Sequence, residues 1–157
     1  MDPVPDELLP WERATGNSGF RTLLYGMTRW GDLFNPRQKL ALITFAEKVR
    51  QAHAHLIAQG AEPEFAKAVA TYLALAVDEL ARFTSVLNPW KVDAEAIVHV
   101  FGRQALPMLW DYCENVPVGS HGGTWEHRLT EIIAVAEALY VHERSNLSGI
   151  AAGGRTT

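Results

Sequence analysis

Apolar residues recur at helical spacing after residue 36, which predicts a first long helix. Asn35 and Pro36 mark its start, because an asparagine side chain caps free backbone amides and proline suits the first helical position. Gly60 marks its end. Between them, positions i, i+3, i+4, i+7, i+10, i+11 and i+14 form a single helical face of Leu42, Phe45, Ala46, Val49, Ala52, His53 and Leu56.

A second long helix is predicted from the segment Glu62-Pro63-Glu64, where two carboxylates lie at the positive end of the helix dipole. Asn88-Pro89 is predicted to stop it. Leu73 and Val77 widen its apolar face, so we expect this helix to lie at the centre of the domain. Its buried side is predicted at Phe65, Val69, Tyr72, Ala76, Leu80, Phe83 and Leu87.

The rest of the chain predicts shorter elements and one further long helix. Asp93 is expected to cap a short helix through Phe101, and Leu106-Pro107 to begin another. Residues 116–124 are predicted to form a loop, because glycine, proline and small hydroxyl residues favour turns. Thr124 then begins a helix with an apolar face of Leu129, Ile132, Ile133, Ala136, Leu139 and Tyr140. The predicted fold is therefore all-α, a single compact bundle of about four to five helices.

Length and composition favour one soluble globular unit. The chain has 157 residues, 48% hydrophobic and 20% charged. We predict an irregular lead-in over residues 1–19, a helical domain over 20–144 and a flexible tail over 145–157. The beginning of the sequence lacks the pattern of a signal peptide, and no apolar run approaches the roughly 20 residues that span a bilayer. Together with the single Cys113, this favours a reducing, cytoplasmic location and no membrane partner.

The formal net charge of −4 bears on the class of partner. A domain that binds nucleic acid by itself usually has a basic face, because neutralising phosphates supplies most of the non-specific affinity. The acidic balance therefore lowers the expectation of independent nucleic-acid binding, while leaving room for a local basic patch.

Patterns typical of catalysis or of metal binding are weak. Glu95 and His99 are four residues apart, but two ligands are fewer than a structural metal requires. Gly119, Gly122 and Gly123 follow no predicted strand, so they lack the context of a phosphate-binding loop. We expect no metal site and no catalytic residue in this chain.

Two clusters combine arginine with tryptophan and acidic or amide side chains. The helix-start cluster comprises Arg29, Trp30, Asp32 and Arg37. The second cluster comprises Arg103, Gln104, Trp110 and Asp111. Arginine recognises carboxylates and phosphates, and tryptophan offers a flat face for stacking, so both clusters suit a docking or DNA-facing surface. The alternative is that Arg29 pairs with Asp32, or Arg103 with Asp111, while the tryptophans fill the core.

Several uncommon strings occur in a fixed order, and together they resemble a known family. They are YGMTRWGDLFNPRQKLAL, AVATYLALAVDELARF and FGRQALPMLWDYCENVP, followed by a glycine-rich loop that leads to Trp125-Glu126. In this order they resemble the middle helical region of the large adenine-specific DNA methylases that also carry a zinc ribbon, a family of the domain-of-unknown-function type. The resemblance covers the chain from about Phe20 to Leu139.

The segments that carry catalysis in that family do not occur in this sequence. Family members hold an S-adenosylmethionine loop, Asp-Pro-Phe-x-Gly-Gly-Gly, before this region and a catalytic Asp-Pro-Pro-Tyr motif after it. Asn88-Pro89-Trp90 is the nearest approach to the second motif, but it lacks the second proline and follows a predicted helix, so we interpret it as a helix stop. The zinc-ribbon cysteines are also missing. The resemblance thus implies no cofactor in this chain, with S-adenosylmethionine implied for the full family protein.

The resemblance implies a non-catalytic accessory region of an adenine-specific DNA methyltransferase, inactive alone. It would dock on the methylase catalytic domain, or on another protein chain, with DNA as a further candidate partner. We predict that the helix-start cluster and the second cluster meet in one docking or DNA-facing patch. The alternative function is a helical protein–protein interaction module, or a homodimer, with no nucleic-acid role.

Overall fold

The structure is a computed structural model that describes residues 4–13 and 19–153. The described residues form three α-helices: α1 (Pro36–Ala58), α2 (Pro63–Phe83) and α3 (Trp125–Gly153). Helix α2 packs against both α1 and α3, which confirms its predicted central position. The mainly helical prediction is confirmed, whereas the predicted four to five helices exceed the number found.

Local capping explains why each helix begins where the sequence predicts. The Asn35 side chain accepts a hydrogen bond from the Gln38 amide at 2.9 Å, and the Gln38 side chain accepts one from the Asn35 amide at 2.9 Å. Glu62 caps α2 by accepting from the Phe65 amide at 2.8 Å. The Thr124 hydroxyl accepts from the His127 amide at 3.4 Å in the first turn of α3.

The predicted helix after Asp93 is wrong, because residues 90–97 form a small hairpin. Strand β1 (Trp90–Lys91) pairs antiparallel with β2 (Ala96–Ile97), in the register Trp90 opposite Ile97. A 3₁₀ turn over Val92–Ala94 joins them. The run of β-branched residues that follows, Ile97, Val98 and Val100, favours extended backbone, which explains why the helix does not form.

The predicted short helix from Leu106-Pro107 is also wrong, since residues 105–109 have no regular secondary structure. A residue before proline is disfavoured in helical conformation. Leu106 instead bonds to a distant segment: its amide donates to the Gly19 carbonyl at 2.9 Å, and its carbonyl accepts from the Thr22 amide at 3.4 Å. Residues 84–124, all of which the structure describes, contain no α-helix.

The main cluster of buried apolar side chains lies outside the α-helices, in the segments before α1 and between α2 and α3, which together we call the irregular half. Its buried members are Leu9, Leu23, Leu33, Leu87, Val100 and Leu106. The described part of the lead-in contributes more than predicted, because Leu9 is buried there and residues 11–13 form a 3₁₀ turn. By contrast, the apolar face of α1 is only half-buried, although α2 packs against it and the Trp125 ring of α3 stacks on Phe45 with centroids 4.9 Å apart.

Helices α2 and α3 also differ from the prediction in where they bury their side chains. Helix α2 ends at Phe83, five residues before the predicted stop, and buries Ala66, Ala76 and Leu80, whereas the predicted positions Phe65 and Tyr72 are exposed. The backbone of α3 continues to Gly153, past the predicted domain boundary at residue 144.

One buried side chain holds the irregular half together. The Asn88 amide group donates to the Arg82 and Val98 carbonyls, both at 2.8 Å, and accepts from the Ser85 amide at 2.7 Å. The backbone carbonyl of Asn88 accepts a hydrogen bond from the Cys113 amide at 2.8 Å. Asn88 therefore joins the end of α2 to the segment after the hairpin and to the segment before the glycine-rich loop.

Candidate docking surface

Asp32 serves the local backbone of the helix-start cluster. Its carboxylate accepts hydrogen bonds from the Thr28 and Arg29 amides, both at 2.8 Å, and so caps the 3₁₀ turn over Trp30–Leu33. Backbone amides at the start of a short helix have no acceptor within the helix. An ionised carboxylate such as that of Asp32 is a strong acceptor for these two amides. Asp32 thus has a structural role at this position.

Arg29 and Trp30 hold the lead-in against the core. The Arg29 guanidinium donates to the Asp6 carbonyl and lies 4.0 Å from the Asp6 carboxylate. The Trp30 amide donates to the Glu7 carbonyl at 3.1 Å, and its ring packs against the hydrophobic core. The Arg29–Asp32 ion pair that the sequence left open does not occur, because the Arg29 guanidinium contacts Asp6 and Asp32 accepts from backbone amides.

Arg37 extends from the first turn of α1 to a carboxylate 77 residues further along the chain. Its Nη2 and Nε donate to Glu114 at 2.6 and 3.3 Å, while the Asn35 amide group donates to Glu114 at 2.8 Å and to the Tyr112 hydroxyl at 3.1 Å. The hydrogen bond from Arg37, and after it the one from Asn35, lower the pKa of Glu114. The bond to Glu114 raises the pKa of Arg37. Because the Arg37 side chain is 79% exposed, solvent screens the pair and it contributes mainly to position.

The second cluster is open to solvent. Trp110 is 77% exposed, and its ring meets the exposed Tyr25 ring edge-on, with centroids 5.1 Å apart and planes at 82°. Arg103, Gln104 and Asp111 are also exposed. In residues 4–13 and 19–153, no ion pair joins Arg103 to Asp111 or to any other residue. The alternative of an internal Arg103–Asp111 pair therefore does not occur.

Neighbours of the predicted residues bring the two sequence regions into contact. Asn35 donates to Tyr112 and Arg37 donates to Glu114, both shortly after Asp111 in the chain. The Tyr25 ring contacts the Trp110 ring. A single patch formed by all eight predicted residues stays a prediction. Sequence reasoning missed Glu114, Tyr112 and Tyr25, because no local pattern signals a pairing across so many residues.

A second candidate surface is apolar and lies on the helices. On α2, Phe65, Tyr72 and Leu75 are exposed at spacings of seven and three, which place them on one face. Exposed apolar side chains also occur along α3, on more than one side of the helix because three of them are consecutive: Ile133, Val135, Leu139, Tyr140 and Val141. We call these two sets the uncovered helix faces. They exceed the scattered single apolar residues that a surface normally carries.

Other classes of site find little support in the described part of the chain. It holds no group of three or more His, Cys, Asp or Glu side chains placed to bind a metal. Glu95 and His99 do not share a helical face, because their segment is not helical. No helix among the described residues has the length and apolar character to cross a membrane. Comparison of the chain with family models, curated proteins and solved structures finds no match.

The Arg37–Glu114 pair predicts a pH dependence. Arg37→Gln removes the main cause of the lowered pKa, so we expect the pKa of Glu114 to rise toward its ordinary range. The stabilisation that the ionised Glu114 supplies is complete above the ordinary carboxyl pKa, and it is lost as the pH falls through the lowered pKa of the folded state. The variant should therefore lose less stability on acidification than the wild type.

An NMR titration of the glutamate side-chain carboxyl carbons measures this pKa directly. Arg50→Gln is the matched control, because it breaks the pair with Glu47 inside α1 and should leave Glu114 unchanged. An equal pKa of Glu114 in the wild type and in Arg37→Gln would contradict the role given to the pair.

Proposed function

We propose that this chain is a non-catalytic accessory region of an adenine-specific DNA methyltransferase, which docks on the catalytic part of that enzyme. The methyltransferase context comes from the resemblance of the ordered strings between Phe20 and Leu139. The docking role is supported by one structural observation, the uncovered helix faces of α2 and α3.

The uncovered helix faces support docking because exposed apolar side chains are unfavourable in water. Burying apolar surface yields about 25 cal/mol per Å², so covering several large side chains stabilises a complex substantially. The main cluster of buried apolar side chains lies in the irregular half, and the uncovered helix faces remain exposed to solvent. A second protein surface of matching apolar character is the partner that would cover them.

DNA contact is a smaller part of the proposal. The Arg29 guanidinium is engaged by Asp6 and that of Arg37 by Glu114, so both cations are largely neutralised within the chain. Arg103 remains without an ion-pair partner among the described residues, and it belongs to the same cluster as the exposed Trp110. One free arginine and one stacking ring suit a peripheral contact with a DNA backbone or an unstacked base.

A homodimer, or a helical interaction module without nucleic acid, is the second candidate. The same uncovered helix faces favour it, since a second copy of the chain would also cover them. The two candidates differ in the partner, and therefore in the mass of the isolated chain in solution. A mass of twice 17.4 kDa by light scattering would favour the homodimer.

The docking proposal predicts that charge on the uncovered helix faces abolishes binding to a catalytic partner. Leu75→Glu combined with Leu139→Glu places a carboxylate on each face while leaving the isolated chain folded, because exposed substitutions change stability by only about 0.5 kcal/mol each. We expect at least about a tenfold loss of co-purification with a catalytic polypeptide, since desolvating an unpaired carboxylate costs well over 1.4 kcal/mol.

The catalytic polypeptide is identified from the coding sequence beside the region that encodes this chain, by Asp-Pro-Phe-x-Gly-Gly-Gly on one side and Asp-Pro-Pro-Tyr on the other. Leu40→Glu is the matched control, because Leu40 is an exposed leucine of α1 outside the uncovered helix faces. If neither motif is encoded there, the methyltransferase role is excluded. If the double variant still binds a catalytic partner, docking through these faces is excluded.

The DNA contact predicts weak binding with a shallow dependence on salt. Fluorescence anisotropy of a labelled duplex should show a slope of log affinity against log salt of about −1, because one unpaired arginine releases about one counterion. Arg103→Ala should remove this binding. Arg50→Ala should leave it unchanged, since Arg50 is paired with Glu47 on α1. No binding even at low salt would reduce the proposal to protein docking alone.

A further inference from the structure

A cavity of about 410 Å³ lies between the end of α2, the β1–β2 hairpin and the glycine-rich loop. Phe83 and Trp90 supply aromatic walls, and the other side chains that can form hydrogen bonds there are Glu95, Glu114, Asn115 and His121. Three of these four side chains carry carboxylate or amide oxygens, which accept hydrogen bonds. The cavity belongs to neither of the two clusters nor to the uncovered helix faces.

Glu95 supplies a negative charge that the described part of the protein does not neutralise. No ion pair involves its carboxylate within residues 4–13 and 19–153. Glu114, in contrast, is paired with Arg37. The Arg128 guanidinium lies over the Phe83 ring, but its charge is paired with that of Glu131 at 2.7 Å. The balance of charge at the cavity is therefore negative.

The backbone at Glu95 is unusual for its residue type. Its φ of 46° and ψ of 42° are left-handed, and it is the only residue other than glycine with positive φ in the described segments. Glycine or asparagine adopts this conformation more easily. The hairpin turn alone would thus favour a different residue, and the carboxylate is what a glutamate adds to this position.

The Asn115 amide oxygen, buried in the wall of the cavity, is a polar atom without a donor. The side chain is 5% exposed, and its Nδ2 donates to the Gly123 carbonyl at 2.6 Å, which fixes the orientation of the amide. Its Oδ1 accepts no hydrogen bond from the described residues. A Cβ added at Gly123 would lie 2.8 Å from Oδ1, so the amide oxygen lies against the bare backbone of a residue that also lines the cavity.

We propose that this cavity binds an organic cation, either a guanidinium or a primary ammonium group on an apolar stem. The unpaired Glu95 carboxylate accepts the ligand's N–H groups, and the exposed Trp90 ring contacts the stem or the face of the cation. The cation can come from an arginine or lysine side chain of a partner protein, or from a free polyamine. Both sources share this chemistry, and the binding site does not depend on the methyltransferase role.

Isothermal titration with matched small molecules tests the class of ligand and its source. N-acetyl-arginine methylamide represents a partner side chain, agmatine represents a free polyamine, and N-acetyl-citrulline methylamide is the neutral control of similar shape. We expect millimolar or tighter binding of at least one cation and no binding of citrulline. The tighter of the two cations identifies the source. Equal binding of citrulline, or no binding of either cation, overturns the proposal.

Two substitutions at the same position separate binding from folding. Glu95→Gln keeps the side-chain shape and removes the charge, so cation binding should weaken by about tenfold with little change in thermal stability. Glu95→Gly removes the carboxylate and relieves the left-handed backbone, so binding should weaken while the melting temperature rises by about 3 °C.

Glu137→Gln is the control, an exposed glutamate on α3 away from the lining of the cavity, and it should change neither property. If Glu95→Gln binds the cation as tightly as the wild type does, the assignment of Glu95 is wrong. If Glu95→Gly loses stability instead of gaining it, Glu95 is retained for the structure of the hairpin and not for a ligand.

Discussion

The Asn88 side chain connects backbone segments that have no α-helix to organise them. Its amide group satisfies two carbonyls and one backbone amide, all in a fully buried position. Buried backbone groups without a partner are costly, so removing this side chain would leave several of them unsatisfied at once. The leucines of the core pack around segments whose course these hydrogen bonds fix. The irregular half of the molecule therefore depends on a polar interaction for its shape and on apolar burial for most of its stability.

The location of the core has a direct consequence for the helices. Most of the fully buried side chains lie in the irregular half, whereas α2 buries Ala66, Ala76 and Leu80, and both α2 and α3 leave large apolar side chains in solvent. The arginines that look like recognition groups in the sequence have partly structural roles, since Arg29 holds the lead-in and Arg37 holds Glu114. Recognition is thus better supported on the uncovered helix faces and near Trp110 than at the helix-start cluster as a whole.

The sequence predicts well where structure depends on neighbouring residues. All three helix starts are found as expected, because Asn35, Glu62 and Thr124 each cap an amide three residues away. The segment between α2 and α3 could not be predicted in the same way, because its backbone bonds to distant partners, as Leu106 does to Gly19. The ion pair between Arg37 and Glu114 could not be predicted from the sequence either, because the two residues are 77 positions apart. For the second cluster, the sequence left open whether the tryptophan faces a partner or fills the core, and Trp110 is exposed.

Native-state hydrogen exchange of the isolated chain tests most directly whether the irregular half is the stable body of the fold. We predict the slowest exchange at hydrogen-bonded amides of that half, such as those of Val86, Val100 and Cys113. We predict exchange faster by at least about a hundredfold in the second half of α3, near Leu139, where large side chains lie in solvent and local opening is easy. Equal protection of the two regions, or faster exchange at Cys113 than at Leu139, would contradict the account.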